Sequence, residues 1–197
     1  INSYIYMIIA IAGKKGSGKD TVADIMVKEY NFIKYRFADD IKKIAEILFN
    51  FNQEQLNGNK KDELDKNWNI TPREFYQKFG TDYIQEIFPK MFPYLFEKNN
   101  INKREFWLKK FELWYKDIIS RKHCCFVVIS DLRFKHEYDY IKKLGGYIIK
   151  VERDNINKDN KHISETDLDS FSDDKFNYII KNNSSIKDLE SLVKKIL

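Results

Sequence analysis

The most chemically suggestive stretch of the chain is Gly13-Lys14-Lys15-Gly16-Ser17-Gly18-Lys19, which fits the pattern G-x-x-x-x-G-K. Glycines at these spacings let successive backbone amides converge on an oxyanion. The amides of a following helix turn and the helix dipole add positive potential, and Lys19 supplies a mobile cation. The chemistry this predicts is the holding of a nucleoside triphosphate, ATP or GTP with magnesium, along residues 13 to 21. Asp20 stands where a serine or threonine would offer magnesium a hydroxyl, with Thr21 next. Three roles are open to Asp20: a direct magnesium ligand, a ligand acting through water, or a simple complement to a helix N-terminus. Thr21 could then bond the α-phosphate.

Further along, Asp131 closes the apolar run Phe126 to Ser130, and Arg133 follows two residues later. A carboxylate at the carboxyl edge of a buried strand can order magnesium, or it can cap the helix that begins near Phe134. The Arg133 guanidinium matches a transferring phosphoryl group, with a surface ion pair as its plainer reading. Arg73, Gln77 and Thr81 fall at i, i+4 and i+8 and so share a helical face, suited either to a second phosphate or to plain solvation. His162 and Glu165 are spaced i, i+3, which reads as a structural pair.

These residues need a frame. Ile5 to Ala12 is a continuous apolar run of the kind found in a strand covered on both faces, and helical spacing resumes from Asp20 to Tyr30. A second strand is predicted over Phe32 to Ala38, with Asp39 or Asp40 capping a helix from Ile41 to Phe49. Thr71-Pro72-Arg73-Glu74 reads as a capping box with proline at the first helical position, so a helix should run toward Gly80, break at Gly80-Thr81-Asp82 and restart over Tyr83 to Phe88. A long amphipathic helix follows from Asn102 to about Lys122, its Trp107, Phe111, Trp114 and Ile118 facing a core. Phe126 to Ser130 is the third strand, Phe134 to Leu144 a helix ended by Gly145-Gly146, Tyr147 to Val151 the fourth strand, and Asn177 to Ile180 with Ile186 to Ile196 the last strand and helix. Strands alternating with helices imply a parallel sheet with right-handed crossovers.

Composition narrows the function classes. With 197 residues, 43% hydrophobic and 15% aromatic, the chain can build one real core and is not disordered. Thirty-five Lys and Arg against 30 Asp and Glu give a net charge of +5, which suits anionic small molecules without demanding a polynucleotide. No apolar run approaches the roughly 20 residues of a membrane span, and residues 1 to 6 carry no functional signal. Cys124 and Cys125 are adjacent and alone, so neither a disulfide framework nor a zinc site is supported, which fits a reducing, cytoplasmic setting. Residues 153 to 172 are polar, with Arg153, Lys158 and Lys161, and lie between two strands as a lid that keeps water from the reaction would.

Taken together, GKKGSGKDTVADIM, RFADDIKKI, TPREFYQKFGTDYI, VISDLRFKHEYDYIKKLGG, VERD, HISE and NYIIKNNSSIKDL resemble the deoxynucleoside monophosphate kinases of phages and large DNA viruses. The similarity runs from Ile8 to Leu197, and an aspartate after the loop lysine belongs to that pattern. The resemblance implies a three-layer α/β P-loop kinase fold with a five-stranded parallel sheet. It also implies transfer of the ATP γ-phosphate to a dNMP, giving ADP and a dNDP. One kinase domain spans 1–197, with 7–50 and 124–197 as core, 153–172 as lid and 51–123 as a helical insertion for the monophosphate. Carried over residue by residue, Gly13, Lys15, Gly16, Ser17, Gly18, Lys19, Asp20 and Thr21 hold ATP, with Asn182 and Asn183 at its adenine. Asp20 and Asp131 serve the magnesium ion, Lys19, Asp131 and Arg133 the reaction centre. Asp39, Arg73, Gln77, Asp82, Lys109, Arg133 and Arg153 serve the acceptor nucleotide. Residues 51 to 70 and 88 to 102 match that pattern poorly. The implied partners are small nucleotides, with no stable nucleic acid and no membrane, and the implied state is monomer or homodimer. Abundant Lys, Ile and Asn suit an AT-rich, viral genome. A P-loop kinase resembling phosphomevalonate kinases is the nearest alternative, and a nucleic-acid-binding module a more distant one.

Overall fold

A computed structural model describes residues 5–122, 124–154 and 162–197. The part of the expected lid that holds Lys158 and Lys161 therefore lies outside the described residues. In chain order the elements are β1 (Ile5–Ala12), α1 (Lys19–Tyr30), β2 (Ile33–Tyr35), α2 (Ala38–Phe49), α3 (Gln53–Leu56), a 3₁₀ turn (Asn59–Asp62), α4 (Pro72–Gln77), a π-helix (Lys78–Ile87), α5 (Phe88–Met91) and α6 (Pro93–Lys98). They continue with α7 (Phe106–Arg121), β3 (Cys124–Leu132), α8 (Lys135–Lys143), β4 (Tyr147–Glu152), α9 (Ile163–Thr166), a 3₁₀ turn (Asp173–Lys175), β5 (Tyr178–Lys181) and α10 (Ile186–Ile196).

The five strands form one all-parallel sheet in the order β2-β3-β1-β4-β5. The apolar runs of β1, β3 and β4 are buried on both faces, as unbroken β-branched segments require. On one face Ile9, Ile11, Val128, Ile149 and Val151 pack with Val22 and Met26 of α1 and Leu189 and Val193 of α10. On the other, the alternate residues Ile8, Ala10, Val127, Ile129 and Ile148 are equally enclosed. This is the three-layer P-loop kinase architecture expected from the sequence.

The chain divides into two compact units, one of residues 1–36 and 111–197, the other of residues 37–110. The first holds the sheet. The second includes α2, so the division precedes that helix instead of following it at residue 50. No described strand falls in the second unit, and its interior is aromatic. Ring contacts run from Phe51 to Phe49, Phe75, Phe79, Tyr83, Phe88, Phe106 and Trp107, each with centroids between 4.9 and 6.2 Å apart.

Several element boundaries differ from expectation. β2 ends at Tyr35 and α2 begins at Ala38, so Asp39 and Asp40 lie in the first helical turn and do not cap it. Thr71 does cap α4, its Oγ1 accepting from the Glu74 amide at 3.1 Å, but the Glu74 carboxylate turns to Lys78 and leaves the capping box half made. The expected break at Gly80 is absent; the helix passes through it as a π-helix. Gly80 serves close approach: a Cβ there would lie 2.4 Å from Ile41 Cδ1, and its carbonyl accepts the Trp107 indole N–H at 2.9 Å. α7 starts at Phe106, since Asn102 instead bonds Glu105 in the turn before it.

Candidate active site

β1 delivers the chain into a loop that only glycine can make. Gly13 has φ of +146°, and a Cβ on it would come within 2.3 Å of the Val151 carbonyl of β4. Gly16 and Gly18 also take positive φ, and Gly18 opens α1 without any side-chain cap. The first amides of α1 are thus left for an anion. Ser17 Oγ is buried with no partner among the described residues, a polar atom inside a cradle that any Cβ at Gly13 would crowd to 2.8 Å. These features fit a polyphosphate. Asn182, just past β5, steadies the loop by donating from Nδ2 to the Ser17 carbonyl at 2.9 Å, while Asn183 exchanges hydrogen bonds with Asp154.

Lys19 is buried and folds back, its Nζ donating to the carbonyls of Gly13 at 2.6 Å and Lys14 at 2.8 Å. Burial, then the neighbouring Arg133 charge, push its pKa down to about 8. Asp20 accepts from Ser130 Oγ at 3.1 Å and pairs with Lys34 at 3.1 Å. Burial works against its charge, but Lys34, Ser130 and Arg36 hold the carboxyl below its ordinary range. Among the described residues no three His, Cys, Asp or Glu side chains gather into a metal cluster, so a magnesium ion here would depend on phosphate oxygens and water beyond Asp20 and Asp131.

Asp131 belongs to β3 and does not cap α8; Phe134 occupies the cap position. Its place is taken by Glu137, a fully enclosed carboxylate whose Oε2 accepts from the amides of Arg133 at 2.8 Å and Phe134 at 3.1 Å. Burial pushes the Glu137 pKa up to about 8, with Asp131 adding to the rise and the two amides opposing it. Arg133 is not in a surface ion pair. Its Nη1 donates to the Ser164 carbonyl at 3.1 Å and pairs with the Glu165 carboxylate, which is only 4% exposed. Burial alone would lower the Arg133 pKa; Glu165, with help from Asp131 and Glu137, carries it above its ordinary value. The Glu165 carboxylate thus pairs with Arg133, while His162 Nδ1 caps α9 by accepting from the Ser164 amide. Lys14 reaches the same segment, donating to the Glu165 carbonyl at 2.5 Å and pairing with Asp169.

Beside this cluster a cavity of about 400 Å³ is lined by Gly13, Lys14, Arg133, Glu152, Arg153, Glu165 and Phe171, among others. Lys15 and Thr21 lie on the loop and first turn, Lys15 exposed. The residues expected at the acceptor are grouped in the second unit, except Arg133 and Arg153. There Arg73 Nε holds Asp62 at 2.5 Å, the Gln77 amide nitrogen is buried without a partner among the described residues, and Asp39, Asp82 and Lys109 sit on α2, the π-helix and α7. Thr81 is enclosed, so Arg73, Gln77 and Thr81 are not a uniformly solvated stripe. The sequence reading passed over Lys14, Lys34, Ser130, Glu137 and the Arg133–Glu165 pair. Only Glu137, three residues after the helix cap in the manner of a capping box, left a local signal.

Comparison with known proteins places this geometry. The chain matches the family model described as deoxynucleotide monophosphate kinase over residues 7–67 and 49–193. A protein of Acanthamoeba polyphaga mimivirus carrying the same family name is 36% identical over 191 residues, 95% of this chain and 94% of that one. The deoxynucleotide monophosphate kinase of Escherichia phage RB69 is 30% identical over 134 residues, 68% of this chain and 47% of that one. Among solved structures, dephospho-CoA kinase from Campylobacter jejuni aligns with a TM-score of 0.51 at 17% identity, covering 98% of this chain and 96% of that one, which speaks to the fold. A glycine loop on a parallel sheet, a buried lysine near a half-buried arginine and these matches together show a phosphotransferase that belongs to the deoxynucleotide monophosphate kinase family.

Proposed function

We propose that the glycine loop holds the triphosphate of ATP, that Lys19 and Arg133 carry the charge of the transferring phosphoryl group, and that the acceptor is a deoxynucleoside monophosphate. The observation that supports this most is a lysine buried in the glycine loop with the half-buried Arg133 charge near it, burial and that charge together pressing the Lys19 pKa down to about 8. A polyanion relieves both.

The reaction needs little covalent help from the protein. An oxygen of the acceptor phosphate, already anionic, forms a bond to the γ-phosphorus as the bridging β,γ bond breaks and ADP leaves with that electron pair. Lys19 abandons the loop carbonyls for the phosphates, and the α1 amides with Ser17 Oγ hold the tail in place. Asp20, held by Lys34 and Ser130, and Asp131 are the residues that would hold magnesium, which supplies charge neutralisation at the phosphates when bound. Lys15 and Thr21 complete the phosphate contacts, and Asn182 and Asn183 border the adenine. In the second unit Asp39, Arg73, Gln77, Asp82 and Lys109 receive the monophosphate and its base, and in the first Arg153 borders it. In this reading residues 153–172 form the lid and the second unit is the acceptor domain. ATP and Mg²⁺ are the cofactors. The partners are small nucleotides, with neither polynucleotide nor membrane, and no described helix is long and apolar enough to cross a bilayer. The enzyme works as a monomer or homodimer in a cytoplasm, the host's if its source is viral.

The test is ADP release from ATP and magnesium with each dNMP and NMP in turn. Acceptor-dependent release with dNMPs is expected, and Lys19→Ala should lower it by about 10³-fold while the far-ultraviolet circular dichroism stays unchanged. Release that no nucleotide stimulates, or equal turnover in folded Lys19→Ala, would end the proposal.

A further inference from the structure

One residue ties the phosphate loop to the arginine. Glu165 is joined at both ends: its backbone carbonyl accepts from Lys14 Nζ of the loop at 2.5 Å, and its carboxylate, 4% exposed, pairs with Arg133 Nη1. Arg133 is gripped along one edge only. Nη1 also donates to the Ser164 carbonyl at 3.1 Å, whereas Nε and Nη2 have no protein partner among the described residues. A guanidinium held this way keeps a two-donor edge for a phosphoryl oxygen pair, in an orientation fixed before substrate arrives. The anchor is local and short, since α9 is a single turn whose start is set by His162 and whose neighbour Asp167 accepts from the Lys135 amide at 2.8 Å. Segment and arginine turn are thus stitched together independently of the carboxylate, and replacing that carboxylate removes the grip on Arg133 without releasing the segment.

We propose that Glu165 is a positioning residue for phosphoryl transfer: it acts through Arg133, fixing the free edge of the guanidinium relative to the glycine loop. This rests on the assignment of Arg133 to the transferring group. A carboxylate that is itself enclosed also rules the rotamer of the half-buried arginine, because any other orientation would leave the Glu165 charge buried and unpaired.

The test is steady-state kinetics with ATP, magnesium and the preferred dNMP on wild type, Glu165→Gln, Glu165→Ala, Arg133→Ala and the double variant, with thermal melts alongside. Glu165→Gln, which keeps the volume and one acceptor, should lower kcat about tenfold, and Glu165→Ala about a hundredfold, with KM for both nucleotides within about threefold. The double variant should be no slower than Arg133→Ala alone, since the carboxylate has nothing left to position. Normal or faster kcat in Glu165→Ala beside a crippled Arg133→Ala would overturn the positioning role and leave the Arg133 assignment standing. So would losses that multiply in the double variant. Normal kcat in Arg133→Ala would instead remove the assignment on which the inference rests. If Glu165→Ala fails to fold, the Glu165→Gln kcat and its coupling to Arg133→Ala decide alone.

Discussion

The two units of this chain are stabilised by different means. The first is aliphatic: its strands carry Ile, Val and Ala into a parallel sheet, and near the glycine loop Lys14 pairs with Asp169, Asp20 with Lys34 and Arg133 with Glu165. The second, residues 37–110, has no described strand and closes around rings; Phe75, Phe79 and Tyr83, four residues apart, stack with interplanar angles of 16° and 19°. A sheet positions atoms through its backbone, so point changes on its surface leave the frame intact. A set of short helices has no such frame, and its geometry depends on side-chain packing. Enclosed rings thus do in the second unit what the strands do in the first.

That contrast is broken most sharply at Phe75. It is nearly enclosed and touches Phe49 at 4.9 Å and Phe79 at 5.1 Å. Phe75→Ala should cost about 3–5 kcal/mol, read from urea unfolding, because the space it leaves is walled by rings that cannot collapse into it. Phe75→Leu should recover more than half. If Phe75→Ala cost under about 1 kcal/mol, the ring ladder would be ornament on a fold held by something else.

This difference also explains what could be read from the sequence. All five strands, their parallel direction and the glycine loop were legible, because unbroken β-branched runs and fixed glycine spacings are local signals, but the order of the strands was not. Lys19, Arg133 and Asp131 stand out by their place in or next to those signals. The partners of those residues are not legible: Glu165 lies 32 positions from Arg133, and nothing in HISE distinguishes an acid that answers His162 from one that answers an arginine just past β3. In the second unit Gly80 looked like a stop, since glycine usually ends helices. Its reason for being there is the approach of Ile41 and the Trp107 indole, contacts made by residues 39 positions before it and 27 after it. The start of α4 was legible because a cap is made by neighbours; the π-helix was not.

A smaller effect is expected at a buried acid of the first unit. Glu137 accepts two backbone amides, so Glu137→Ala should cost about 2 kcal/mol by stranding them in the interior. Glu137→Gln keeps an acceptor of the same size. The wild-type carboxyl titrates near 8 when folded against about 4.5 when unfolded, so the native state holds a proton that the unfolded chain has lost between those values. Stability contributed by that proton is complete below about pH 4.5 and is lost as pH rises through 8. Unfolding followed from pH 5 to 8 should show wild type losing stability relative to Glu137→Gln. A parallel course for the two proteins would mean that the folded carboxyl is already ionised at pH 5.

The smallest expected effect bears on how helices begin. α3, α4 and α10 start with Asn52, Thr71 and Ser185, each accepting a backbone amide. α1 starts with Gly18, which offers no acceptor at all. Capping is worth about 1 kcal/mol, so Thr71→Ala should lower stability by that amount and Thr71→Ser should restore it. The same reasoning runs in reverse at α1, where the missing cap leaves free amides whose natural acceptor is a phosphate oxygen. Inorganic tripolyphosphate should therefore raise the melting temperature of the wild type and of Thr71→Ala by equal increments, because the anion supplies at α1 what Thr71 supplies only at α4. Unequal increments would show that the two helix starts are coupled, and that the second unit senses what the glycine loop holds.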